Sequence, residues 1–307
     1  MKKHNYSAGP CILPQEVFEK SAQAIIDFNQ SGLSLLEISH RSKDFVAVMD
    51  EARALVLELL GLEGKGYQAL FLAGGASLEF LMIPYNLMKV NGKAAYLDTG
   101  TWSSGAIKEA KHFGETVVVA SSKSENYNHI PKNYTIPSDA DYFHCTSNNT
   151  IFGTQFKEAP KTSLPLVCDM SSDIFSQKID VSKYDLIYAG AQKNLGPAGA
   201  TLYIVKDEVL GKSTSPFLPS YLDLKNHVEK ESMANTPPVF SVFVAMLNLR
   251  NLLANGGVKA KEIENNAKAA LLYNEIDSNP IFFEISSCVY PDFVRYNFKL
   301  FFMSYSV

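Results

Sequence analysis

Lys193 is placed where an amine can do chemistry. It stands in Leu186-Ile-Tyr-Ala-Gly-Ala-Gln-Lys-Asn-Leu-Gly-Pro-Ala-Gly199, between one apolar run and a second, Thr201 to Val205. A lysine ordinarily keeps its charge in water and lays its stem on apolar surface. One hemmed in by strands, glycines and a proline is easier to desolvate, and desolvation makes an amine a nucleophile fit for Schiff-base formation. A lysine decorating an ordinary loop is the plain alternative. Three further places have complementary chemistry. Gly74-Gly-Ala-Ser77 separates an apolar run from a helical pattern and offers open backbone N–H groups for a phosphate; the alternative is a plain glycine turn with Ser77 as N-cap. It is neither GxGxxG nor a Walker A loop. Trp102, the single tryptophan, follows a strand and a Gly-Thr pair and can stack on a planar ring or pack in a core or interface. Asp169 closes Leu166-Val-Cys-Asp, and a carboxylate there needs an internal salt bridge or a protonated heteroaromatic nitrogen.

In chain order these make a phosphate cradle, a ring stacker, a strand-end carboxylate and a lysine one strand later. Pyridoxal phosphate requires all four: donors for its phosphate, a face for its ring, an acid for its pyridinium nitrogen and an amine for its aldehyde.

The elements that must position these residues follow from apolar periodicity. Pro14 opens a helix to about Asn29, and Asp44 to Leu60 is a second, ended by Gly61. Short apolar runs predict strands at Tyr67–Leu72, Lys93–Leu97, Thr116–Ala120, Tyr142–Cys145, Leu166–Met170, Leu186–Ala189 and Ala200–Val205. Helices are predicted to about Met88 after the glycine turn, over Trp102–Phe113, Phe240–Ala254 and Lys259–Asp277. Near-continuous apolar strands alternating with helices predict an α/β fold whose mostly parallel sheet is covered on both faces.

Composition limits the function. The 307 residues carry a net charge of −4, which does not suit a nucleic-acid surface. There are four arginines (Arg41, Arg53, Arg250, Arg295) against 24 lysines, so bidentate anion recognition has few candidates. The four cysteines lie far apart without a CxxC, three of them in apolar runs, and read as reduced thiols of a cytoplasmic protein. The six histidines lack ligand spacing, so no metal is expected. The start of the chain lacks the apolar segment of a signal peptide, and no apolar run is long enough to span a bilayer.

The motifs Tyr6-Ser-Ala-Gly-Pro10, Glu37-Ile-Ser-His-Arg-Ser42, Leu72-Ala-Gly-Gly-Ala-Ser77, Thr99-Gly-Thr-Trp-Ser103, Asn148-Asn-Thr-Ile-Phe-Gly153, Cys168-Asp-Met-Ser-Ser172, Tyr188 to Pro197 and Met233-Ala-Asn-Thr-Pro-Pro238 resemble, in order, those of the phosphoserine aminotransferase family. These are class V, fold-type I pyridoxal-phosphate enzymes, and the resemblance runs to about Asp277. It implies that Lys193 is the Schiff-base lysine and Asp169 the pyridinium partner. Trp102 would stack on the ring, and Ala76, Ser77, Thr150 and Gln192 would contact the cofactor. Asn235 and Thr236 would reach the cofactor phosphate of a neighbouring subunit, which implies a homodimer with shared active sites. His40 and Arg41 would hold the substrate anion, with Ser7 in an arm that closes over it. The implied reaction is a ping-pong transfer of an amino group from L-glutamate to 3-phosphohydroxypyruvate. A different class V activity, such as alanine–glyoxylate transamination, fits poorly with His40-Arg41.

The expected organisation is an N-terminal arm (1–15), a large cofactor domain (16–257) and the remnant of a small domain (258–307). Family members carry a His-Arg-Ser-x-Gly-Gly-x-Arg-Ala-Ser motif in that small domain, and 281–307 does not match it. Crowded with Phe and Tyr, that stretch reads either as a short hairpin or as the product of truncation or a shifted frame. A chain that binds the cofactor yet is catalytically impaired is therefore the alternative function.

Overall fold

The structure is a computed structural model that describes residues 4–7, 9–10, 12–214 and 217–279; the expectations for 281–307, and for Cys11, Cys288 and Arg295, lie outside the described residues. After the arm, α1 (Gln15–Ile26) and α2 (Lys43–Leu60) precede β1 (Tyr67–Gly74), α3 (Ala76–Leu87), β2 (Lys93–Asp98), α4 (Thr101–Ala110) and β3 (Glu115–Ser121). Then come β4 (Tyr142–Thr146), a small hairpin of β5 (Asn148–Asn149) and β6 (Thr154–Gln155), β7 (Leu166–Asp169), β8 (Leu186–Gly190) and β9 (Gly199–Lys206). Three helices follow, α5 (Leu224–Glu229), α6 (Val239–Ala254) and α7 (Gly257–Ser278).

The main sheet has the order β1-β9-β8-β7-β4-β2-β3. β9 is antiparallel to both its neighbours and the other pairings are parallel, so β9 alone runs against the rest. This bears out the expected mostly parallel sheet, and both faces are covered. One apolar cluster holds Phe45, Met49, Phe71, Phe143 and Met246 beneath α1, α2 and α6. The other holds Phe80, Met82, Ile107, Tyr188 and Tyr203 beneath α3 and α4. β4, β7 and β8 are buried at every position, as strands covered on two sides must be.

Every expected strand is present, extended by one or two residues in most cases. The helix predicted to Asn29 stops at Ile26, where Asp27 turns extended and Asn29 adopts a left-handed φ of 53° in a short 3₁₀ turn. The helix predicted to Phe113 ends at Ala110. Composition alone did not reveal α5 or the β5–β6 hairpin, which are too short to show a period. Cys145 and Cys168 are buried free thiols, 3.6 Å apart on paired positions of β4 and β7. Among the described residues no single helix is long and apolar enough to cross a membrane, and no group of His, Cys, Asp and Glu is arranged to hold a metal.

Candidate active site

Because β1, β8, β7, β4 and β2 share a direction, their carboxyl ends open on one edge of the sheet. That edge of an open α/β sheet is where ligands bind, since loops there are free of the packing that fills the strands. It carries Gly74, Gly190 leading to Lys193, Asp169, Thr146 leading to Thr150, and Asp98 leading to Trp102. The four features read separately in the sequence therefore converge through strand order.

At the end of β1, Gly74 has φ +131°, a conformation side chains avoid, and a Cβ there would lie 2.7 Å from Leu78 Cδ2. Gly75, not Ser77, is the N-cap of α3, and no side chain caps the helix. The plain alternative for this turn is therefore corrected: Ser77 sits inside the first turn, where its N–H, like that of Ala76, has no intrahelical acceptor. A Cβ on Gly75 would meet nothing within 4 Å, so the space above these donors is open. Uncapped donors, open space and the positive end of a helix dipole suit a phosphate.

Asp169 is 4% exposed. Its Oδ1 accepts the Ser171 N–H at 2.9 Å, and Ser171 Oγ in turn accepts the Gly190 N–H at 3.1 Å, tying the end of β7 to that of β8. Burial pushes the carboxyl above its ordinary value, while the Ser171 hydrogen bonds and the charge of Lys193 pull it back. A buried acid with so few donors fits a cationic partner such as a protonated ring nitrogen.

Lys193 lies in the turn after β8, half-buried, and among the described residues no carboxylate comes within salt-bridge distance. Its turn is pinned from both sides: Asn194 Nδ2 donates to Ile174 O at 2.6 Å, and Asn248 Nδ2 on α6 donates to Asn194 O and Leu195 O at 3.1 and 3.0 Å. The N-terminal arm comes down on the lysine. A Cβ on Gly9 would lie 2.7 Å from Lys193 Cδ and 3.2 Å from Nζ. The motif Tyr6–Pro10 was legible in the sequence; its contact with Lys193 was not, because no local pattern reports a contact across that separation.

Trp102 is 39% exposed on the first turn of α4, an aromatic face left open at the site edge. Ser103 Oγ accepts the Thr99 and Gly100 N–H groups, each at 2.9 Å, and this fixes the turn that carries it. Ser104, Ser121 and Tyr127 converge on the Asp98 carboxylate behind. Thr150 and Gln192 are half-buried in the turns after β5 and β8, respectively.

His40 and Arg41 lie in the turn before α2, whose N-cap Ser42 accepts the Phe45 N–H. Among the described residues the buried His40 Nε2 has no hydrogen-bond partner. Of the described arginines, Arg53 pairs with Asp50 and Glu231 and Arg250 with Glu51, whereas Arg41 has no carboxylate partner among the described residues. Among those residues Arg41 is thus the guanidinium left for an outside anion. Asn235 and Thr236 sit in the turn before α6, and no described hydrogen bond joins them to Lys193 or Asp169. Ser7 is exposed in the arm.

Known proteins share this fold. The class V aminotransferase family model matches residues 4–293, so the chain is an aminotransferase of that class. The phosphoserine aminotransferase of Flavobacterium psychrophilum is 77% identical over 282 residues, covering 92% of this chain and 79% of the relative. That of Bacteroides thetaiotaomicron is 58% identical, with coverage of 92% and 78%. The solved phosphoserine aminotransferase of Bacillus circulans subsp. alkalophilus superposes with a TM-score of 0.86 at 43% identity, covering 90% of this chain and 77% of that one. The pyridoxal-phosphate-bound enzyme of Trichomonas vaginalis gives 0.86 at 36% identity, with coverage of 91% and 83%. This chain belongs to the phosphoserine aminotransferase family.

Proposed function

We propose that the chain transfers an amino group between L-glutamate and 3-phosphohydroxypyruvate, a step of serine biosynthesis, using pyridoxal 5′-phosphate. The observation that carries this reading is the convergence of Lys193, Asp169, Trp102 and the uncapped α3 N-terminus on one sheet edge. When bound, the cofactor supplies an aldehyde that captures amines and a protonated ring that withdraws electrons from the carbon being deprotonated.

The chain's own residues do the rest. The N–H groups of Ala76 and Ser77 hold the phosphate, with Thr150 and Gln192 as further contacts. Trp102 stacks on the ring, and Asp169 keeps the ring nitrogen protonated. Nζ of Lys193 is the amine that would hold the cofactor aldehyde, and when free it would serve as the general base for the proton on the donor Cα. Arg41 binds a carboxylate or phosphate of the substrate with two parallel hydrogen bonds, and His40 Nε2 offers one more. Ser7 and Gly9 bring the arm over the site and exclude water from it. Asn235 and Thr236 are assigned to the neighbouring subunit's cofactor phosphate in a cytoplasmic homodimer, and residues 16–257 to the cofactor domain, with 258 onwards opening a smaller one.

Borohydride reduction followed by peptide mass analysis tests the assignment: a pyridoxyl adduct on Lys193 is expected, and its absence overturns the cofactor reading. Glutamate-dependent turnover of 3-phosphohydroxypyruvate tests the substrate assignment.

A further inference from the structure

Glu79 is 0% exposed, and among the described residues neither of its carboxyl oxygens completes a hydrogen bond, the Thr201 hydroxyl being the one polar group close by. It lies in the first half of α3, just past the cradle, on the side that packs against the sheet. An acid buried without partners costs several kcal/mol in principle, so its retention calls for an explanation. The groups that face it come from three strands. Asp169 on β7 pairs in register with Tyr188 on β8, and Tyr188 with Tyr203 on β9. Strand alternation puts Thr201 on the same face as Tyr203. The Tyr188 hydroxyl is shared with His144 Nε2 at 2.9 Å, and the Tyr203 hydroxyl points to Met82 Sδ. Thr201 Oγ1, like Glu79, completes no hydrogen bond of full geometry.

Two buried acids, Asp169 and Glu79, thus share one polar seam behind the site, and their surroundings differ. Asp169 has the Ser171 N–H and the charge of Lys193, both of which favour a carboxylate. Glu79 has the Thr201 hydroxyl alone, and among the described residues no lysine or arginine pairs with it. When like groups sit together in unequal environments, the proton goes to the one with fewer donors.

We propose that Glu79 is a positioning residue for Asp169: an uncharged acid behind the cradle that leaves the seam one negative charge and fixes it where the cofactor ring nitrogen lies. The proposal rests on the reading of Asp169 given above. It agrees with the direction of titration, since burial pushes Glu79 well above the ordinary carboxylate value and the nearby Asp169 charge pushes the same way, against the Thr201 hydroxyl. His144, deeper in the seam, is pushed down to about 3 by burial and so adds no cation.

The test uses Glu79→Gln, which keeps shape and neutrality, and Glu79→Leu, which keeps volume and removes polarity. In apoprotein the proton on Glu79 stabilises the fold fully below about pH 4.5, and this contribution is lost as pH rises toward the raised native value. Wild-type protein should therefore lose thermal stability relative to Glu79→Gln as pH rises from 5 to 8, by about 3 °C or more. A wild type that gains on Glu79→Gln over that range overturns the proposal, because Glu79 would then be an ionised partner of a cation. In holoprotein the pH midpoint of the cofactor absorption band should hold in Glu79→Gln and shift by about one unit in Glu79→Leu, where Asp169 keeps less of its charge and so holds the ring-nitrogen proton less firmly. An unmoved midpoint in a fully loaded Glu79→Leu reduces Glu79 to a space filler and overturns the proposal; Glu79→Met carries the same comparison if the leucine variant does not fold. Failure of the borohydride adduct in wild type would sink the cofactor reading separately, with the apoprotein comparison still deciding the protonation of Glu79.

Discussion

At the scale of single residues, two positions outside the cofactor's direct contacts set how the site behaves. Gly9 is a glycine because Lys193 lies where its side chain would go. Gly9→Ala is expected to displace the lysine or lift the arm, slowing the glutamate half-reaction about 10- to 100-fold, as small misplacements of reacting groups do. The unfolding temperature should hardly move, and stopped-flow spectra of the cofactor band check both points. Asp173 is the other. Buried beside Asp169, it takes hydrogen bonds from Ser147 and Gln155, yet burial pushes it up to about 6. Its proton stabilises the native state fully below the ordinary value of 3.8, and this contribution is lost as pH rises through 6. Asp173→Asn should therefore gain on wild type by on the order of 3 kcal/mol between pH 4 and 7, measured by urea unfolding at each pH.

At the scale of elements, the helix caps connect sequence to site. Ser42 caps α2 and immediately follows His40 and Arg41, so a frayed α2 loosens the anion-binding turn as well. Ser42→Ala is expected to cost about 1 kcal/mol in denaturant unfolding and to raise KM for the phosphorylated substrate more than it lowers kcat. The elements themselves were legible because apolar runs such as Leu166-Val-Cys-Asp and Leu186-Ile-Tyr-Ala carry their own period and end at polar or glycine residues. The ends of α1 and α4 were not, since local backbone hydrogen bonds rather than apolar spacing stop them. Glu79 escaped notice for a related reason: in Leu78-Glu-Phe-Leu-Met-Ile a single acid reads as the solvent side of an amphipathic helix, whereas α3 is covered around most of its circumference. Asp169 and Lys193 were found because strand ends are visible in sequence. The arm's contact with Lys193 and the pairing of Asp173 with Ser147 were not, because they depend on loop paths that no periodicity encodes.

At the scale of the whole molecule, the cofactor is expected to act as a fastener. It would engage α3, α4, the end of β7 and the turn after β8, elements far apart along the chain. Removing pyridoxal phosphate should lower stability by about 2.7 kcal/mol relative to protein held at a hundredfold excess over Kd. Calorimetry of apo and reconstituted protein measures this, and Lys193→Ala should show a smaller difference between the two forms.

The position of β1 has a consequence for how the protein is made. Among the described residues β1 is an edge strand whose one sheet neighbour is β9, paired from Tyr67↔Lys206 to Gly74↔Gly199. On its open side the Phe71 N–H is covered by Ser232 Oγ, and Arg53 on α2 reaches over to Ala69 O. During synthesis, Ala-Leu-Phe-Leu therefore leaves the ribosome long before the strand or the serine that will shield it exists. Until Gly199–Lys206 emerges, β1 must be held against α2 or by a chaperone, and a nascent chain arrested short of Gly199 would present it as a bare apolar ribbon.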